Sequence, residues 1–156
     1  MGSEVVVTIN DFASDGAIEG LRGAIVVTAE RVRSIAAPNA PRKTGLLRNS
    51  IMWRKGWGND ALGLPPEGGF NEAEPGGEKA TEKIEKPSGE VAVVGTAVEY
   101  ATKQEFGTKN IIASPYLRSA GAEVRGMGAT DLIRKYGLDA MKAEFDKRKE
   151  KRTVSK

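Results

Sequence analysis

Histidine and cysteine, the side chains that most often carry acid–base, nucleophilic and zinc chemistry, are both absent from the 156 residues. Ser-His-Asp and Cys-His nucleophile systems are therefore excluded, because the general base is missing. Zinc sites built from Cys or His and disulfide frameworks are excluded with them. What remains is carboxylate chemistry: Glu99 and Glu105 with a lysine and magnesium, as a nuclease would use them. No cluster of acids stands at an informative spacing for that. The residues give no catalytic, cofactor or metal site, and the reading is a protein that is not an enzyme.

Charge is the next chemistry a chain can offer. The net charge is +3 and the sequence pI about 9.2, which admits non-specific contact with the phosphates of double-stranded DNA. A basic DNA-binding accessory protein is thus the alternative reading. Against it, aromatics are only 6% and no helix-turn-helix or zinc finger is readable. The distribution says more than the sum. Residues 1–20 carry only acids, 21–55 are basic but for Glu30, 56–90 are acidic, and the tail after Met141 is basic. Blocks of alternating sign suit head-to-tail contacts between identical subunits.

The elements that must present these charges follow from periodicity. Residues 4–9 are short and β-branched, which predicts a strand. Ser14 or Asp15 is placed to cap a helix on which Ile18, Leu21, Ile25, Thr28, Val32 and Ile35 form one face. It runs from about Asp15 to Ala37, roughly 33 Å, with Arg22, Gly23 and Arg33 on its other face and Pro38 and Pro41 closing it. A turn or short helical step at 44–48 leads into a half-buried strand at 50–54 containing Trp53. Residues 57–89 are rich in Gly, Pro and charge, and too polar to hold a core. Glu90–Thr96 restores a strand that should pair with 50–56, so the intervening stretch reads as a long flexible hairpin insertion. Tyr100–Phe106 reads as a short helix ended by Gly107, and Pro115 as the start of another, weakened by Gly121, Gly126 and Gly128. A last helix begins near Thr130 or Asp131 and dissolves into the basic tail.

These elements make an α+β fold: a long N-terminal helix and a C-terminal helical arm packed on a small, mostly antiparallel sheet with a long hairpin loop. Residues 1–125 read as one domain, with 126–156 as a C-terminal helix and tail. No internal repeat or sustained heptad is present. No run approaches the roughly 20 apolar residues that cross a bilayer, and the N-terminus lacks the pattern of a signal peptide. No membrane is expected as a partner, and the chain reads as residing in the cytoplasm when made.

Three segments in order carry a resemblance. The first is Ala40-Pro41-Arg42-Lys43-Thr44-Gly45-Leu46-Leu47-Arg48-Asn49-Ser50-Ile51, after the long helix. The second is Val94-Gly95-Thr96-Ala97-Val98-Glu99-Tyr100-Ala101 with Glu105-Phe106-Gly107-Thr108. The third is Ala113-Ser114-Pro115-Tyr116-Leu117-Arg118-Ser119-Ala120. Together they resemble the neck or tail-completion family (head–tail joining, minor tail component) of long-tailed double-stranded DNA bacteriophages, over roughly residues 15–125. Tyr116 and Ser119 stand where that family usually has Phe and Pro, and the 57–88 loop is expanded.

The resemblance implies a structural virion protein that forms a homo-oligomeric ring, six copies by the symmetry of such tails, in the neck or at the top of the tail. Its partners would be copies of itself and the adjacent neck, connector, tail-terminator or tail-tube proteins, with passing DNA within reach. It would assemble in the host cytoplasm and reside in the virion. Physically, Thr44-Gly45 suits a tight turn, with Gly45 at positive φ and Thr44 capping the next step, while Leu46, Leu47 and Ile51 anchor it. Tyr100 and Phe106 should pack between helix and sheet. Glu105 should pair with Arg48 or Arg118, on this chain or a neighbour, fixing register more than adding stability. Pro115, Tyr116, Leu117 and Arg118 should dock the last helix onto the sheet. Trp53 should be core, and Trp57, at the loop mouth, an interface anchor.

Overall fold

A computed structural model describes residues 4–8, 15–42, 45–59, 62–63 and 83–128, and beyond them 130–131, 134–135, 137–139, 142–143 and 146. Its elements are β1 (Glu4–Thr8), α1 (Asp15–Asn39), α2 (Leu46–Ser50), β2 (Met52–Lys55), β3 (Leu62–Gly63), β4 (Val91–Gly95), α3 (Ala101–Phe106) and α4 (Tyr116–Gly126). The strands form one antiparallel sheet in the order β1-β4-β2-β3. The expected pairing of the 50–56 and 90–96 stretches is present, with Trp53 opposite Val94 and Arg54 opposite Val93. The α+β architecture is thus as the sequence reads.

Strand alternation sorts the sheet into two faces. Trp53, Ala92 and Val94 join Ile25, Ala29, Val32 and Ala36 of α1 and Leu117, Ala120 and Val124 of α4 in the main core. Met52 and Val93 face the other way and are covered by Ile84. That is a correction: the polar insertion does contribute to a core at its end. Arg54 holds the cover in place by donating from Nη1 to the carbonyl of Ile84 at 2.7 Å. At the other described part of the insertion, β3 pairs with β2.

The periodic face of α1 is buried at Ile25, Thr28 and Val32, and half-buried at Ile18, Leu21 and Ile35. Its most hidden positions also include alanines, at 24, 29, 36 and 37, whose small side chains let the sheet and α4 come close. Two expectations about this helix need correction. The helix continues through Pro38 to Asn39, since a proline in a final turn disturbs few bonds. Arg33 is buried rather than solvated, because it folds onto Glu30 one turn earlier, with Nε 2.9 Å from Oε2.

α4 is unbroken from Tyr116 to Gly126, so Gly121 does not interrupt it; a side chain there would stand 3.6 Å from Val5. The chain turns at Gly128, at φ +76°, and the described residues beyond are helical. Gly137 is buried, with a Cβ there 3.6 Å from Leu21, which sets the C-terminal arm against the start of α1. Ser14 and residues 147–156 lie outside the described residues.

Candidate functional site

The second and third motif segments meet where α3 hands over to α4. Pro115 occupies the N-cap of α4 and has no side-chain oxygen to receive the first amide groups of the helix. Glu105, at the end of α3, supplies it instead. Its carboxylate accepts the N–H of Leu117 (3.0 Å) and the N–H of Arg118 (2.8 Å). The chain returns to it because Gly107 turns at φ +76°, where a Cβ would lie 2.9 Å from both Ala113 N and Ile111 O. Thr108 and Ile111 then bridge, and Ser114 N–H bonds to Gln104 O at 2.7 Å. The result is a carboxylate that is 0% exposed yet fully engaged.

Arg118 completes the arrangement. Its Nε donates to Glu105 Oε1 at 3.1 Å and its Nη2 to the Glu105 carbonyl at 3.0 Å. The guanidinium lies 4.4 Å from the centre of the Phe106 ring, a cation–π distance. Of the two arginines the sequence offered, Glu105 therefore pairs with Arg118 of its own chain. Capping, which the sequence reading missed, is its larger role.

Tyr100 and Phe106 do not pack between helix and sheet as expected; both are exposed. The short α3 turns only one face inward, and Ala101 and Glu105 take the buried positions. Phe106 is 54% exposed, and in the return that follows Gly107 the side chains of Ile111 and Ile112 are exposed too, the latter at 93%. The handover thus leaves Tyr100, Phe106, Ile111 and Ile112 exposed along one short stretch of chain, a tip that also carries exposed Lys103 and Lys109 and the half-exposed Arg118, which lies over the Phe106 ring. Ile111-Ile112 was the legible signal for it: two apolar residues between Asn110 and a solvated Ala113 have no periodic reason to be there.

The first motif segment supports the tip from below. Gly45 adopts φ +76° at the N-cap of α2, as the turn reading required, and Leu47 and Arg48 are buried; Thr44 lies outside the described residues. Ser50 donates to the Leu47 carbonyl at 2.7 Å and meets Thr96 Oγ1 at 2.6 Å, while Thr96 accepts the Val98 N–H at 3.2 Å. With the Ser50 proton directed to Leu47, the Thr96 hydroxyl donates to Ser50. These bonds tie α2 to the end of β4 from which the tip departs. Tyr116 and Leu117 are buried in the core and dock α4 onto the sheet, whereas Pro115 and Arg118 are exposed and do not.

Trp57 belongs to the other end of β4. It is half-buried, with Arg22 and Lys55 at 5.9 and 5.8 Å from its ring. Arg22 also bonds Glu90 through Nε at 2.7 Å and pairs with Glu19. The Arg22 bond holds the Glu90 carboxyl below its usual range despite some burial. Trp53 is core, and its Nε1 donates to Glu30 at 2.7 Å. Burial pushes the Glu30 carboxyl up, but the bonds from Arg33 and Trp53 outweigh it and leave the group below its ordinary value.

Among the described residues no three acidic side chains gather as metal ligands, and no helix is long and apolar enough to cross a membrane. Over residues 8–107 the chain matches the family described as "Bacteriophage HK97-gp10, putative tail-component". The match takes in the first motif segment and nearly all of the second; the third lies beyond its end. No curated protein and no solved structure matches the chain.

Proposed function

We propose, from the premise that the chain belongs to the HK97 gp10-like family of bacteriophage tail components, that it acts without chemistry, as a ring subunit. Copies associate head to tail, six to a ring, in the neck or at the top of the tail, completing the tail and joining it to the head. The neighbours are the adjacent neck or connector ring on one side and the tail-terminator or tail-tube protein on the other. The protein is made and assembles in the host cytoplasm and ends in the virion, where weak contact with the phosphates of passing DNA accompanies the structural role.

One observation carries this reading. Phe106 is left in solvent against a guanidinium fixed in place by a buried carboxylate, and Ile111 and Ile112 are left in solvent on the return that follows. An isolated subunit has no use for so organised an exposed apolar tip, whereas aromatic and arginine side chains of this kind anchor protein interfaces. A heterologous contact repeated by rotation closes into a ring.

The test is genetic and structural together. Phage lacking this polypeptide should accumulate filled heads and separate tails, and supplying the protein should restore joined particles. Ile112→Asp should fail to restore them while folding normally by circular dichroism. Joined, infectious particles in the complete absence of the chain would overturn the proposal.

A further inference from the structure

The apolar tip needs an occupant, and its border specifies one. Exposed Lys103, Lys109 and Arg118 share the α3–α4 handover with exposed Tyr100, Phe106, Ile111 and Ile112, Arg118 lying over the Phe106 ring, while Glu105 is spent on α4 and Arg118. A surface of this composition takes an apolar group flanked by acids. The chain itself contains such a segment. Residues 64–82 hold one aromatic, Phe70, among Glu67, Glu72, Glu74, Glu78 and Glu82, with Lys79 as the one base. Their glycines and prolines leave little else in the segment to bury.

We propose that the tip of one copy is the docking site for the acidic segment 64–82 of a second copy, with Phe70 seated against Phe106 and Ile112. This rests on the ring reading and names the contact that would close it. Arg118 is suited to the role because its guanidinium is already held by two bonds to Glu105 and by the Phe106 ring. Further N–H donors of the fork can thus meet a glutamate of the neighbour with little loss of side-chain freedom. Opposite charge sets the register, and the apolar contact supplies the affinity.

The absence of cysteine makes the test direct. Tails are assembled from an equal mixture of two full-length variants, Phe70→Cys and Ile112→Cys, one of them carrying a size tag, and oxidised mildly. The expected product is a mixed disulfide dimer between the two variants. Its yield should be several-fold above that of a control mixture in which Asp139→Cys replaces Phe70→Cys. Changing Glu67, Glu72, Glu74 and Glu78 together to Gln should lower the yield several-fold. Incorporation of the protein into tails without the mixed dimer would overturn this inference and leave the ring reading in place. So would a cross-link confined within single chains in a Phe70→Cys/Ile112→Cys double variant, or one from Ile112→Cys to a different tail protein. Joined particles forming without the chain would instead overturn the ring reading, and this inference with it.

Discussion

Glu105 illustrates how one side chain can do two jobs of unequal weight. Its bond to Arg118 is half in solvent, the arginine side chain being 53% exposed, and pairs of that kind contribute no more than about 1 kcal/mol. Its bonds to the amide groups of Leu117 and Arg118 are different, because they satisfy the start of α4 where Pro115 offers nothing. Glu105→Ala leaves those donors, and the space around them, without a partner. The expected loss is about 2–4 kcal/mol, seen as a lower midpoint in urea denaturation. Arg118→Ala should cost less than about 1 kcal/mol in the same measurement, yet reduce assembly as strongly as a tip variant. Equal stability losses for the two substitutions would show that the ion pair, rather than the cap, is what holds the handover together. The Ser50–Thr96 pair gives a smaller case of the same kind. Thr96→Val removes the hydroxyl that serves Ser50 and the Val98 amide, and should cost about 1–2 kcal/mol.

At the scale of elements, α1 is attached to the sheet by apolar contacts and by polar ties that include Glu30 to Trp53 of β2 and Arg22 to Glu90 beside β4. Both carboxyls are held below their ordinary values in the folded chain. A depressed folded value means the unfolded chain binds protons more readily, so the stabilisation is complete above the ordinary carboxylate value of about 4.3. It is lost as pH falls through the folded values. A Glu30→Gln/Glu90→Gln variant should therefore show a shallower fall in thermal midpoint between pH 5 and 3 than the parent; parallel curves would deny the ties any role. β3 depends on a close approach instead. A Cβ at Gly63 would lie 1.7 Å from Trp53 Nε1, within the ring's own space. Gly63→Ala should displace either β3 or the indole, with a change in tryptophan fluorescence to report it. The long amphipathic α1, the β2–β4 pairing, the Gly45 turn and the Gly107 stop were legible in the sequence, since each follows from local pattern. The cap of α4 was not, because it depends on a return of the chain from Gly107 to Pro115 that no periodicity records. Ile84 was hidden for a similar reason: a single isoleucine in a polar run looks solvated until the far face of the sheet is in view. Tyr100 and Phe106 misled because aromatics are usually inside, whereas a helix as short as α3 has only one inner face, and Ala101 and Glu105 occupy it.

For the whole molecule, the alternation of charge along the chain acquires a direction once the elements are placed. The basic stretch 21–55 lies in α1, α2 and β2, where Arg22 and Arg33 pair with carboxylates of the same chain. The acidic stretch 56–90 has only Glu90 in a salt bridge among its described residues, and Lys103 and Lys109 stand exposed at the tip. Under the proposed contact, the acids that the sequence places in 64–82 meet the exposed lysines of the tip, an arrangement that attracts head to tail and repels like ends. Such exposed charges are screened at short range in concentrated salt, the Debye length falling from roughly 8 Å at physiological ionic strength to about 3 Å at 1 M. In the proposed ring, assembly driven by them should slow with added salt mainly through its association rate, while the proposed apolar contact at Phe106 and Ile112 should keep completed rings together. Light scattering after a salt jump would separate the two. Formation should slow several-fold between low and high salt, whereas preformed rings should persist. Rings that dissolve in high salt would assign the affinity to charge and leave the apolar tip without the anchoring role argued for it.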